Sequence, residues 1–218
     1  MDKQATIDNT ISFVKETLQG AEGGHDWFHI ERVYKNALLI AKEENVNLFI
    51  VSLGALLHDI ADAKFYDGDE TVGPKMAREF LENQQVDEIT IKHIENIINY
   101  ISYKSSLTGE KLFSSPELDV IQDADRLDAI GAIGIARCFN YGGFKNRAMY
   151  DPEIEPNLNM TKEEYKKSSA PTINHFYEKL LLLKDKMNTK TGKRIAKERH
   201  VYMKLFLEQF YNEWNGNK

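Results

Sequence analysis

His58 and Asp59 stand side by side at the end of the apolar run Val51-Ser52-Leu53-Gly54-Ala55-Leu56-Leu57. An imidazole and a carboxylate are metal ligands of borderline and hard character, and this run places them where water is scarce. A buried carboxylate is costly unless a cation or hydrogen-bond donors meet it, and one divalent ion would satisfy both residues at once. Three other segments supply partners. His25 and His29 are spaced i, i+4, so both imidazoles project from one side of a helix that begins at Asp26 or just before it. Asp123, Asp125 and Asp128 cluster in Gln122-Asp123-Ala124-Asp125-Arg126-Leu127-Asp128, with Asp125 and Asp128 on one helical face. The loop after the dyad carries Asp62, Lys64 and Asp67. Mixed imidazole and carboxylate ligands on distant helices suit a six-coordinate Mn, Fe, Mg or Ni ion, or an expanded Zn, with positions left to water. Such an ion can lower the pKa of its water from about 15.7 to about 7. Asp62 or Asp67 could then align that water or take its proton.

The elements that must position these groups are helical nearly throughout. Ile7, Ile11, Val14 and Leu18 form one stripe of a first helix that stops at Gly20. Asp26 is a plausible N-cap for a helix to about Glu44, and Asn47 for a helix to Leu57 that is apolar on nearly all sides. Asp62 to Gly73 reads as loop. Helices are expected around Met76 to Leu81 and from about Asp87 to Ile101, with loop from Leu107 to Pro116. A helix from near Asp123, as its N-cap, should run to Asn140 and stop at Gly142-Gly143. Gly131 and Gly134 fall inside it and are expected to permit close helix packing. After a loop from Arg147 to Met160 come two long helices, Thr161 to Met187 and Thr191 to Trp214. The first opens on the capping box Thr161-Lys162-Glu163-Glu164. No alternating run demands a sheet. The expected fold is all-α, a single-domain bundle of roughly eight helices over 1–218, with metal-site helices in 22–140 and C-terminal helices in 161–214.

Composition narrows the class. The 218 residues carry a formal net charge of −6, which argues against a nucleic-acid polymer as partner, since that needs a basic face. Cys138 is the only cysteine, so no internal disulfide forms and a reducing compartment fits. The polar start Met1-Asp2-Lys3-Gln4 lacks a signal-type apolar stretch, and no apolar run approaches the roughly 20 residues of a membrane span. A cytoplasmic protein with no membrane partner is expected.

The segments His25-Asp26-Trp27-Phe28-His29-Ile30-Glu31-Arg32-Val33, Leu56-Leu57-His58-Asp59-Ile60 and Asp123-Ala124-Asp125-Arg126-Leu127-Asp128-Ala129-Ile130-Gly131 together resemble the HD-domain phosphohydrolase superfamily. That pattern is His…His-Asp…Asp on a helical bundle, and more narrowly the chain looks like the stand-alone bacterial members that hydrolyse nucleotides. Segments 172–180 and 206–214 also look like this group, so the resemblance spans nearly the whole chain. It implies the ligand set His29, His58, Asp59 and Asp125 around one divalent ion, with Mn or Mg favoured and Fe, Ni or Zn possible. An acid three residues after the dyad assists catalysis in related nucleotidases. That role lands on Asp62, and a second on Asp67. Two-metal relatives bring further histidines before the last aspartate. Here only His93 stands there, which implies a single ion.

A phosphorylated substrate, expected to be a nucleotide, needs cations on an acidic protein. Arg32, Lys64 and Lys104 are the candidate clamp, with Lys64 also counted among the catalytic groups. The bland alternatives are specific. His25 could be a metal ligand, a residue that supports a ligand from outside, or a helix-start hydrogen bonder, His93 an exposed or interface histidine, and Asp128 a salt-bridge partner of Arg32 or Arg126. Tyr202, Leu205, Phe206, Phe210 and Trp214 line the last helix and point to core packing or a homodimer. Two classes of function stand: a metal-dependent phosphohydrolase, with a (deoxy)nucleoside triphosphate pyrophosphohydrolase as its sharpest form, and a non-catalytic metal- or nucleotide-binding regulatory module. Water-activating acids at Asp62 and Asp67 favour the enzyme.

Overall fold

A computed structural model describes residues 2–21, 24–61, 66, 69–101, 113–161, 164 and 168–217. Among these, every regular element is helical, as the periodicity predicts: α1 (Lys3–Thr17), α2 (Trp27–Ala41), α3 (Leu48–Leu57), α4 (Val72–Asn83), α5 (Glu88–Tyr100), α6 (Pro116–Asp128), α7 (Gly131–Phe144), α8 (Asn174–Glu178) and α9 (Lys190–Trp214), with a 3-10 segment at Leu180–Lys186. The chain forms two compact units, Met1–Asp125 and Arg126–Lys218.

In the first unit α3 is the central element, packed on α1, α2 and α5. Its residues Val51 to Leu57 are all buried, because no face of this sequence offers water a polar group larger than Ser52. Ile30, Val33, Ala37 and Ile40 of α2 and Ile91, Ile94 and Ile97 of α5 complete the same core. Burying each large side chain of this kind stabilises the fold by roughly 1.5–3 kcal/mol. A Cβ on Gly54 would lie 2.6 Å from the Ile121 side chain and 3.2 Å from Ile97, so the small residue lets α3 approach its neighbours. The caps expected at Asp26 and Asn47 are in place: Asp26 accepts from the His29 N–H and Asn47 from the Phe49 N–H. Asp87, the expected start of the fifth helix, also caps it by accepting from the Thr90 N–H. The first helix differs in one respect. Its fully buried residues are Thr6, Thr10 and Val14, while Ile7, Ile11 and Leu18 are half-buried. The threonine hydroxyls donate to backbone carbonyls one turn back, which lets them face the core without a lost hydrogen bond.

Two expected helices are corrected. The one predicted from Asp123 to Asn140 is two helices, α6 and α7, separated at Ala129-Ile130. Gly131 has a φ of +77°, a conformation that costs glycine little and ends the continuous helix. Gly134 serves no packing between helices. A Cβ there would meet the Ala129 carbonyl oxygen at 2.2 Å, where the chain folds back on itself. Asp123 is accordingly no N-cap: it lies inside α6 and is fully buried. The start of α6 is set by Ser115, whose Oγ accepts from the Leu118 N–H, with Pro116 in the first helical position.

The second correction falls in the other unit. The helix expected from Thr161 to Met187 is replaced at its end by α8 and the 3-10 segment. Pro171 lacks an N–H and disfavours helical backbone in the residue before it, so a helix cannot run through this point without loss. The capping box is nonetheless formed: Thr161 N–H donates to Glu164 Oε2 and Glu164 N–H to Thr161 Oγ1. The last helix starts one residue before the expected Thr191, where Thr189 accepts from the Gly192 N–H. Its Phe206 stacks on Phe176 and Phe210 lies against Phe139 and Tyr150, so these rings belong to the unit's own core.

Candidate metal centre

His29, His58 and Asp125 each bring one ligand atom into a group whose members all lie within 4.8 Å of one another. Each arrives on a different helix. His29 sits in the first turn of α2, fixed by the Asp26 cap; His58 ends α3; Asp125 lies in the last turn of α6. His29 Nε2 is 3.6 Å from Asp125 Oδ1, and the His29 and His58 rings meet edge to face at 5.5 Å. The histidines are buried, whereas the Asp125 side chain is 43% exposed, so the group opens towards solvent on the aspartate side.

The second nitrogen of His58 decides what the first can do. Nδ1–H donates to the Ala55 carbonyl at 2.9 Å, which leaves the Nε2 lone pair free of that bond and orients the ring. Burial pushes the His58 pKa down, against opposing pulls from Asp125 and Asp59. A neutral, oriented imidazole is the form that binds a metal. Two imidazoles and a carboxylate within one ion's reach therefore fit a divalent cation.

Asp59 falls outside that three-donor group. Its Oδ2 is 2.5 Å from His25 Nδ1. Burial alone would raise the Asp59 pKa, but the hydrogen bond from His25, with His58 and His29 nearby, brings it below the usual carboxylate range. Sequence spacing puts His25 and His29 on one side of a helix; α2 instead starts at Trp27, so His25 lies before the Asp26 cap, and the two rings are 6.2 Å apart. The tie from His25 to Asp59 spans 34 positions, and the i, i+4 spacing does not name that partner.

Arg32 is half-buried on α2, one turn beyond His29. Asp62, Lys64, Asp67 and Lys104 lie outside the described residues. His93 is half-buried rather than exposed: its Nε2 is 2.9 Å from Ser115 Oγ and its ring packs on Phe113, bracing the start of α6. Asp128 is buried and pairs with Arg137, a partner the sequence did not suggest.

Comparison with known proteins agrees with this geometry. The HD domain family model matches residues 27–130. Bacillus subtilis YpgQ is 36% identical over 208 residues, covering 94% of this chain and 92% of that protein. The crystal structure of an HD-superfamily hydrolase from Bacillus thuringiensis superposes with a TM-score of 0.79 at 46% identity, covering 98% of both chains. The crystal structure of Bacillus subtilis YpgQ in complex with ADP superposes with a TM-score of 0.74 at 32% identity, over 98% of this chain and 97% of that one. The chain belongs to the HD-domain family and has the fold of HD-superfamily hydrolases. No helix among the described residues is long and apolar enough to cross a membrane.

Proposed function

We propose that this protein is a metal-dependent phosphohydrolase acting on nucleotides, and within that class a (deoxy)nucleoside triphosphate pyrophosphohydrolase. The observation that carries the reading is the three-donor group of His29, His58 and Asp125 with its open aspartate side. ADP bound to YpgQ supports a nucleotide as the ligand class. His29, His58, Asp59 and Asp125 hold one divalent ion, Mn or Mg before Fe, Ni or Zn. When bound, the ion supplies Lewis-acid charge against the phosphate oxygens and makes a water molecule easier to deprotonate. Asp62 takes the proton of the attacking water, with Asp67 as the second acid. Arg32, Lys64 and Lys104 bind the phosphate oxygens, where an arginine offers a bidentate fork and a lysine a point charge. Water adds at the α-phosphorus, and the bond to the bridging oxygen breaks to give a nucleoside monophosphate and pyrophosphate. A cytoplasmic setting goes with this reading. Burial pushes the Cys138 thiol up to about 12, so it stays protonated and inert there.

A panel of nucleoside and deoxynucleoside triphosphates, with Mn or Mg and separate detection of phosphate and pyrophosphate, tests the proposal. Pyrophosphate with no free phosphate is the expected product. Free phosphate alone would move the cleavage to the terminal bond, and no turnover of any member would leave the regulatory module as the better account.

We also propose a homodimer through α9. Once Phe206 and Phe210 are taken by the unit's own core, Tyr202, Leu205 and Trp214 remain about half exposed on the same helix. Light scattering at micromolar concentration should give about twice the chain mass of 25.1 kDa. A mass equal to one chain rejects the dimer.

A further inference from the structure

His25 is the one histidine beside the three-donor group that the proposed ligand set does not use, yet it makes the shortest polar contact there. It immediately precedes the Asp26 cap of α2, and Asp59 immediately follows the His58 end of α3. Nδ1 of His25 and Oδ2 of Asp59 are 2.5 Å apart. A carboxylate only accepts, so the imidazole is the donor and Nδ1 carries the hydrogen. One oxygen of Asp59 is thereby engaged, and the carboxylate plane is set by a ring on the turn that leads into α2.

The contact is a poor candidate for a purely structural tie. Both side chains are partly exposed, 39% for His25 and 21% for Asp59, and hydrogen bonds in that setting contribute little to folding. A carboxylate that binds a metal has different needs. It has two oxygens and free rotation about its last bond, and an outer donor on one oxygen presents the other in a single direction.

We propose that His25 is the positioning residue for Asp59, holding Oδ2 and so fixing the carboxylate beside the ion site of His29, His58 and Asp125. This rests on the metal reading above. Loss of such an outer partner typically weakens metal binding by about 10–100-fold.

The test is Mn binding to metal-free protein, followed by calorimetry or by the electron paramagnetic resonance of free Mn, with no substrate present. His25→Ala should raise the Kd by about 10–100-fold. Asn places an amide N–H close to where Nδ1–H stood, whereas Gln places it where Nε2 stood. His25→Asn should therefore recover most of the affinity and His25→Gln should not. Thermal unfolding of all three variants should match the wild type closely, and His25→Asn keeps the comparison valid should His25→Ala fail to fold. Unchanged Mn affinity in His25→Ala, beside a wild type that binds, overturns the positioning role and leaves the metal reading standing. Affinity restored by Gln but not by Asn also overturns it, because the Nε2 side would then be the working one and His25 itself a ligand. A wild type that binds no Mn, Mg, Fe, Ni or Zn overturns both.

Discussion

His58→Ala is expected to leave the protein unable to retain a divalent ion through dialysis and to cut nucleotide turnover by ~10³-fold or more, since a bound metal supplies several kcal/mol of transition-state charge stabilisation. The size of the effect follows from how completely the side chain is committed. The imidazole is buried, its pKa pushed down by that burial, and aimed by the bond from Nδ1–H to Ala55 O. Removing a side chain at the end of the buried helix α3 also perturbs packing. Asp125→Ala is the companion variant for that reason, because its side chain is 43% exposed and its loss leaves no cavity in the core. Both variants should lose the ion, while only His58→Ala should show a marked fall in thermal stability. Metal content by inductively coupled plasma mass spectrometry, set beside turnover of the best nucleotide, reads the outcome. Full metal occupancy in both would remove this group as the ion's site.

How far the sequence carries depends on whether a signal is local. Asp26 and Asn47 are legible as caps because a short polar side chain acts on backbone within three residues of itself. The burial of α3 is legible because Val51 to Leu57 offer no wet face on any rotation. Where two local signals compete, legibility fails. Helical periodicity runs on through Ala129, yet the chain uses the positive φ of Gly131 to stop one helix and begin another. Helical periodicity likewise extends past Pro171, although its missing N–H makes the break a matter of chemistry.

The candidate site divides along the same line. His29, His58 and Asp125 are readable as residue types in a fixed order on separate helices, and the structure brings their ligand atoms together. Contacts between side chains distant in sequence have no local signature. His25 with Asp59, His93 with Ser115, and Asp128 with Arg137 each depend on where helices end in space. In all three cases the residue type announced a partner and the spacing could not say which. A buried or half-buried charge always implies a counterpart, but the counterpart's identity is a property of the packing.

Asp62→Asn is expected to keep the ion and lose the rate, falling by roughly 10²–10⁴-fold in turnover, the usual scale of general-base assistance. Asp62 stands three residues beyond Asp59 and lies outside the described residues, so the expectation rests on chemistry and sequence position. An ordinary aspartate, with a pKa near 3.9, is ionised at neutral pH and can accept a proton. Asparagine keeps the size and one oxygen but cannot take that proton to any useful extent. The variant thus separates proton transfer from binding: metal content and KM should stay close to wild type while kcat falls. That pattern also discriminates between the two classes of function, because a regulatory module gains nothing from a proton acceptor beside its ion. Single-turnover measurement with the best triphosphate is the cleanest readout, since product release cannot then mask the chemical step. Wild-type rate in Asp62→Asn would make that residue a spectator and pass the role to Asp67, whose own Asn variant must then show the loss. If both variants turn over at the wild-type rate, neither loop carboxylate takes the proton.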